Sequence, residues 1–161
     1  MEHEDFMREA LAEAEKAFAL GEVPIGAVVV RDGEIISRAH NLRESTHDAT
    51  AHAEILAIRQ AGQRLGGWRL TGCTLYVTIE PCPMCAGALV QSRISHLVYG
   101  APDPKAWADL SLLSVVQNPG LNHRLAVTGG VLAEECGALM KRFFRARRKP
   151  AAESSAPPER E

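Results

Sequence analysis

The chain has no run approaching the roughly 18 apolar residues of a membrane-spanning helix, so no membrane partner is expected. It opens on Met1-Glu2-His3-Glu4-Asp5, acidic where a secretory leader would be basic. Cysteine is sparse: four thiols in 161 residues, without the regular spacing of a disulfide framework. Together these absences predict a cytoplasmic protein whose thiols stay reduced and free to ligate. Charge of one sign is also lacking, and the formal net charge of -2 argues neither for nor against a nucleic-acid partner. There is no internal repeat, and the length suits one domain with a sizeable core.

What is present is a succession of alternating periodicities. From Asp5 to Leu20, apolar residues at Phe6, Met7, Ala10, Leu11, Ala14, Ala17 and Phe18 predict a helix with one buried stripe, stopped by Gly21. Ile25–Val30 is a β-branched run, and the Asp32-Gly33 turn before Ile35-Ile36 makes it half of a hairpin. His40 to Ala49 is polar and aperiodic and reads as a loop. Thr50 is a good N-cap for a helix reaching about Gln60. Thr74–Ile79 is a buried strand, followed by a helix from Pro83 to Gln91, with Pro83 suited to its first position. His96–Tyr99 and Leu125–Thr128 are further strands; a short helix ends near Val116, and a last helix spans about Leu132 to Arg147. The order predicts a three-layer α/β domain over residues 1–149 with a five-stranded mixed sheet. Residues 150–161, rich in Ala, Glu, Ser and Pro, read as a disordered tail.

Two short stretches carry chemistry. Thr50-Ala51-His52-Ala53-Glu54 and Pro81-Cys82-Pro83-Met84-Cys85 supply an imidazole, two thiols and a carboxylate. His52, Cys82 and Cys85 are three zinc ligands. Three protein ligands with a fourth position for water is the arrangement of a catalytic zinc, whereas a structural zinc takes four. Glu54 is then a spare carboxylate, which has a use only where a proton must move. Residues two apart on one helix diverge by roughly 200°, so both His52 and Glu54 serve one site only if the helix end points at the metal. The competing reading is a structural zinc module, which needs a fourth ligand from Cys73, Cys136, His47, His96 or His123; otherwise Cys73 and Cys136 are small core residues. Lys141 to Lys149 holds six cations and no acid, a run that suits phosphate contact or a solvated helix end.

The pattern H-x-E…P-C-x-x-C resembles that of the zinc nucleobase deaminases, and the wider sequence resembles the bacterial tRNA adenosine deaminase branch of the cytidine deaminase-like superfamily. The residues carrying this likeness include Glu22–Ala27, Asn41, His47-Asp48, Cys85–Ala88, Ser92–Ile94, Asn122-His123 and Phe143–Arg145. The resemblance implies a cytidine deaminase-like fold and hydrolysis of the wobble adenosine (position 34) of tRNA to inosine, with one zinc per subunit on His52, Cys82 and Cys85. It makes Glu54 the catalytic proton shuttle. It assigns substrate contacts to Asn41, Asp103, Lys105, Phe144 and Arg145, the tRNA anticodon stem-loop as partner, and a homodimer as the assembly. One departure stands out: Trp107 and Leu110 occupy positions where the family commonly has glycine, and Asp109 adds a negative charge. That departure keeps open an alternative substrate, a free base or nucleoside such as guanine, cytosine or cytidine.

Overall fold

The central strands are apolar on both sides because helices cover both faces of the sheet. The computed structural model describes residues 2–103 and 112–147. Helix α1 (His3–Ala19) leads into the hairpin β1 (Gly26–Arg31) and β2 (Glu34–His40). A single helical turn, α2 (Arg43–Thr46), precedes α3 (Ala53–Leu65) and β3 (Cys73–Ile79). Then come α4 (Pro83–Gln91), β4 (His96–Ala101), α5 (Leu112–Val116), β5 (Ala126–Thr128) and α6 (Ala133–Arg147). The sheet order is β2-β1-β3-β4-β5; β1 is antiparallel to both neighbours, and β3, β4 and β5 run parallel. This is the expected five-stranded mixed sheet.

Strand alternation distributes the core. Ala27, Val29, Leu75, Val77 and Leu97 pack under the alanine stripe Ala53, Ala57 and Ala61 of α3 and under Ala86 and Leu89 of α4. Val28, Val30, Tyr76 and Val98 face the other way, against Phe6, Met7 and Ala10 of α1 and Cys136 of α6. The spare cysteines are core residues as expected: Cys73 and Cys136 are both buried.

Helices α1 and α6 run in the same direction. Arg8 faces Glu135 at 4.0 Å near one end, Arg142 bonds Glu15 at 3.0 Å further along, and Phe143 stacks edge-on against Phe18, 5.7 Å between centroids. The C-terminal end of α1 leads to Gly26, whose N–H donates to Thr78 Oγ1 at the end of β3 (3.2 Å). The cationic end of α6 therefore rises at the same end of the sheet as the carboxyl end of β3.

Two boundaries differ from expectation. The 40–49 segment is not wholly irregular, since α2 lies within it, and α3 begins at Ala53, three residues after Thr50. Thr50 does not cap α3: its N–H and Oγ1 both donate to Asp48 Oδ1, a local turn that holds the chain extended through His52. Residues 148–161, with the expected tail, lie outside the described residues.

The contact between α1 and β1 is unusually close. A Cβ on Gly26 would meet Ala10 O at 2.1 Å and Ala14 N at 2.4 Å, both backbone atoms that cannot turn aside. Gly26→Ala is expected to cost about 2–3 kcal/mol by forcing α1 off the sheet, read as a lower urea midpoint with an unchanged denaturant slope.

Candidate active site

Parallel β3 ends at Ile79, and Glu80-Pro81 carries the chain to Cys82, the N-cap of α4. Cys82 has extended backbone (φ -74, ψ 170), and Pro83 follows at the first helical position, where its missing N–H is not needed. Across from it His52 is the N-cap of α3, also extended (φ -77, ψ 150), with Glu54 at the second helical position. The divergence of residues two apart on a helix does not arise, because His52 is not on the helix.

The two helix starts converge. His52 Nδ1 lies 3.6 Å from Cys82 Sγ and 3.5 Å from Cys85 Sγ, and the three ligand atoms all fall within 4.8 Å of one another. Bond lengths of about 2.3 Å to sulfur and 2.0–2.1 Å to nitrogen, at a tetrahedral angle, put ligand atoms about 3.5 Å apart. The imidazole and thiols fit the edges of a zinc tetrahedron, and the donor set is one that zinc takes. Among the described residues no fourth His, Cys, Asp or Glu joins this group. His96 is instead bonded to Thr128 Oγ1 and His123 to the Ile94 carbonyl, while His47 is exposed. The donor set leaves room for a water, and a four-ligand structural site has no support from the described residues.

Of the three ligand groups, only Cys82 is already shifted toward the deprotonated form that a metal needs. Hydrogen bonding with Cys85, aided by His52 and opposed by burial, lowers the Cys82 pKa to about 4. The same contact and burial push the Cys85 thiol up. The Cys82 contact raises the His52 pKa against the effect of burial. A metal held by His52, Cys82 and Cys85 would have to displace the Cys85 thiol proton. Glu54 is 3 % exposed, and desolvation raises its pKa to about 7, so it takes up or releases a proton near neutrality.

Of the remaining site candidates, Asn41 is placed best. It is 3 % exposed, its N–H donates to the Ile25 carbonyl, and its Oδ1 accepts the Ala53 N–H at 2.8 Å. Its side-chain NH₂ has no acceptor among the described residues. Asp103 follows β4 beside the end of β3, with its N–H donating to Glu80 Oε1 at 3.0 Å. Phe144 is half-buried and stacks on Phe143, and Arg145 is exposed on α6. Lys105, Trp107, Asp109 and Leu110 lie outside the described residues. Sequence reasoning assigned no role to Glu22, a carboxylate that the fold buries at 1 % exposure and bonds to the 44–45 backbone. Only the Glu22–Ala27 run, part of the family likeness, drew attention to it.

Comparison with known proteins agrees with this geometry. The MafB19-like deaminase family model matches residues 1–148. The tRNA-specific adenosine deaminase of Bacillus subtilis (strain 168) is 56% identical over 144 residues, 89% of each chain. A structure from studies of A-to-I editing by tRNA:A34 deaminases superimposes with a TM-score of 0.78 at 46% identity, covering 84% of this chain and 98% of that one. The guanine deaminase of Bacillus subtilis shares the fold more loosely, with a TM-score of 0.62 at 33% identity over 96% of this chain and 99% of its own. With more than half its residues shared over nearly nine-tenths of a relative's length, and the deaminase motif folded into one cluster, the chain belongs to the tRNA-specific adenosine deaminases.

Proposed function

We propose that this protein hydrolyses the wobble adenosine of tRNA to inosine, with one zinc ion per subunit held by His52, Cys82 and Cys85. The observation that carries the reading is the buried Glu54 set beside a three-ligand cluster. Zinc at this site supplies the Lewis acidity that makes water a nucleophile near neutral pH.

Glu54 does the proton work. Its carboxylate accepts the proton that water loses as the new C6–O bond forms, and delivers it to the adjacent ring nitrogen. Glu54 then carries the proton of the new C6 hydroxyl to the amine, so that the C6–N bond breaks as the C6 carbonyl forms, and ammonia leaves. A carboxyl group with a pKa of about 7 accepts and donates with little driving force lost in either direction. The Asn41 NH₂ donates to the nucleoside, with its Oδ1 held by Ala53 to fix the orientation.

The polymeric substrate is supported by charge placement. Lys141 and Arg145 are exposed on the part of α6 that rises at the site's end of the sheet, where an anticodon backbone would pass. The same helix end is partly structural, since Arg142 bonds Glu15 and Arg147 lies over Phe143. A homodimer and a cytoplasmic setting complete the reading. The apolar groove between α3 and α4, with Ile58, Ala88 and the exposed Trp68, is the surface a second copy would cover.

Three measurements test this. Cys85→Ala should lower zinc from about one ion per chain to near zero by elemental analysis of the purified protein. Glu54→Gln should keep its zinc yet lose about 10²–10⁴-fold in kcat, and activity retained in the zinc-loaded variant removes the shuttle role. Truncation at residue 141 would open the core, because Phe143 is buried, so the cleaner probe of the polymer is Arg145→Ala. It should raise the KM for tRNA several-fold and reduce the salt slope by about one, leaving turnover of a free nucleoside unchanged.

A further inference from the structure

The segment between Asn41 and Ala53 is a closed excursion from the body of the protein. Two bonds tie its base: Asn41 Oδ1 accepts the Ala53 N–H, and the Leu42 N–H donates to the Ala51 carbonyl at 3.0 Å. Its apex is the one-turn helix α2, which buries none of its residues, so apolar packing does not fix it. His47, at the end of that turn, has left-handed backbone (φ 54), a conformation costly for a residue with a side chain. An exposed, strained turn of this kind is held by polar contacts or not held at all.

Here the contacts converge on one group. Glu22 lies in the α1–β1 connection, 1 % exposed. It accepts the Glu44 N–H at 3.1 Å and, on its other oxygen, both the N–H and the hydroxyl of Ser45 at 2.6 Å. These backbone donors belong to the first turn of α2 and have no partners within the helix. A buried carboxylate with three donors is well compensated and rigid, because turning away would leave a charge unsolvated. The base of the excursion adjoins the cluster, since Ala53 directly follows His52. Arg43, at the start of α2, acts electrostatically on both Glu22 and His52.

We propose that Glu22 is a positioning residue. By fixing the 44–45 apex while the Asn41–Ala53 bond fixes the base, it holds the excursion as a rigid wall beside the metal cluster, against which the nucleotide is seated. Glu22 bonds neither the cluster nor Glu54, so its contribution lies in substrate affinity and not in the chemical step. The inference rests on the deaminase reading above. Glutamine at position 22 keeps the shape but offers an NH₂ group to a site of three donors, so at least one bond is lost and one repulsion gained.

The test compares the intact protein with Glu22→Gln and with Ser45→Ala, which changes an exposed residue and leaves the core alone. Each is assayed for KM and kcat on tRNA with adenosine at the wobble position, for zinc content, and for amide exchange at residues 41–53. Glu22→Gln is expected to raise KM about tenfold with kcat within twofold and zinc unchanged, and to speed exchange at Glu44 and Ser45 about 100-fold. Ser45→Ala is expected to shift KM about threefold in the same direction, and it decides alone if Glu22→Gln does not fold. KM within twofold of the parent in both variants overturns the proposal, as does an effect confined to zinc content or kcat, which marks a purely structural carboxylate. If the unaltered protein makes no inosine from tRNA, the deaminase reading fails separately. The exchange data then decide the present inference, and fast exchange at 44–45 in the unaltered protein overturns it.

Discussion

A histidine and a glutamate two residues apart cannot both reach one point if they belong to the same helix. The fold removes the conflict by keeping His52 extended, one residue before α3, while Glu54 lies in its first turn. The same device is used at α4, where Cys82 is extended and Cys85 is helical. Each element thus offers two side chains from two backbone conformations, and the open ends of two helices meet. The position of those ends follows from the sheet: β3 delivers Cys82 at its carboxyl end, and β2 delivers Asn41, whose carboxamide fixes the start of α3. Helix N-termini favour negative charge, so the thiolate that a metal requires is stabilised where it forms.

Much of this was legible in the residues. The motif spacing picked out three side chains that the fold does bring together, and Pro83 identified the start of α4, because a proline beside a cysteine pair leaves few backbone options. Strand order and layering followed from the alternation of apolar runs and helical stripes. The start of α3 was not legible. Thr50 has the chemistry of an N-cap, and only the competing Asp48 carboxylate, two residues before it, diverts that chemistry into a turn. Nor was α2, since a four-residue helix with no buried face leaves no periodic trace. Its support comes from Glu22, more than twenty residues away in sequence, and such a pairing has no local pattern.

Asn41 has a scaffolding part that the structure shows directly. The family likeness presents it as a substrate contact, and the structure adds that half of its carboxamide is engaged by the protein itself. An amide held by its oxygen has a fixed plane, so the remaining nitrogen is oriented before any ligand arrives. Glu54 follows a similar logic: the burial that raises its pKa also shields its carboxyl group from bulk solvent.

The aromatic stack at the end of α6 has a consequence of its own. Phe143 is wedged between Phe18 and Phe144, and guanidinium groups lie over two of these rings, Arg142 over Phe18 and Arg147 over Phe143. The helix that displays Arg145 is thereby a stiff bracket and not a tether. A backbone held in this way has little freedom left to lose if an anion docks, so only the rotamers of the displayed side chain itself would be given up on binding.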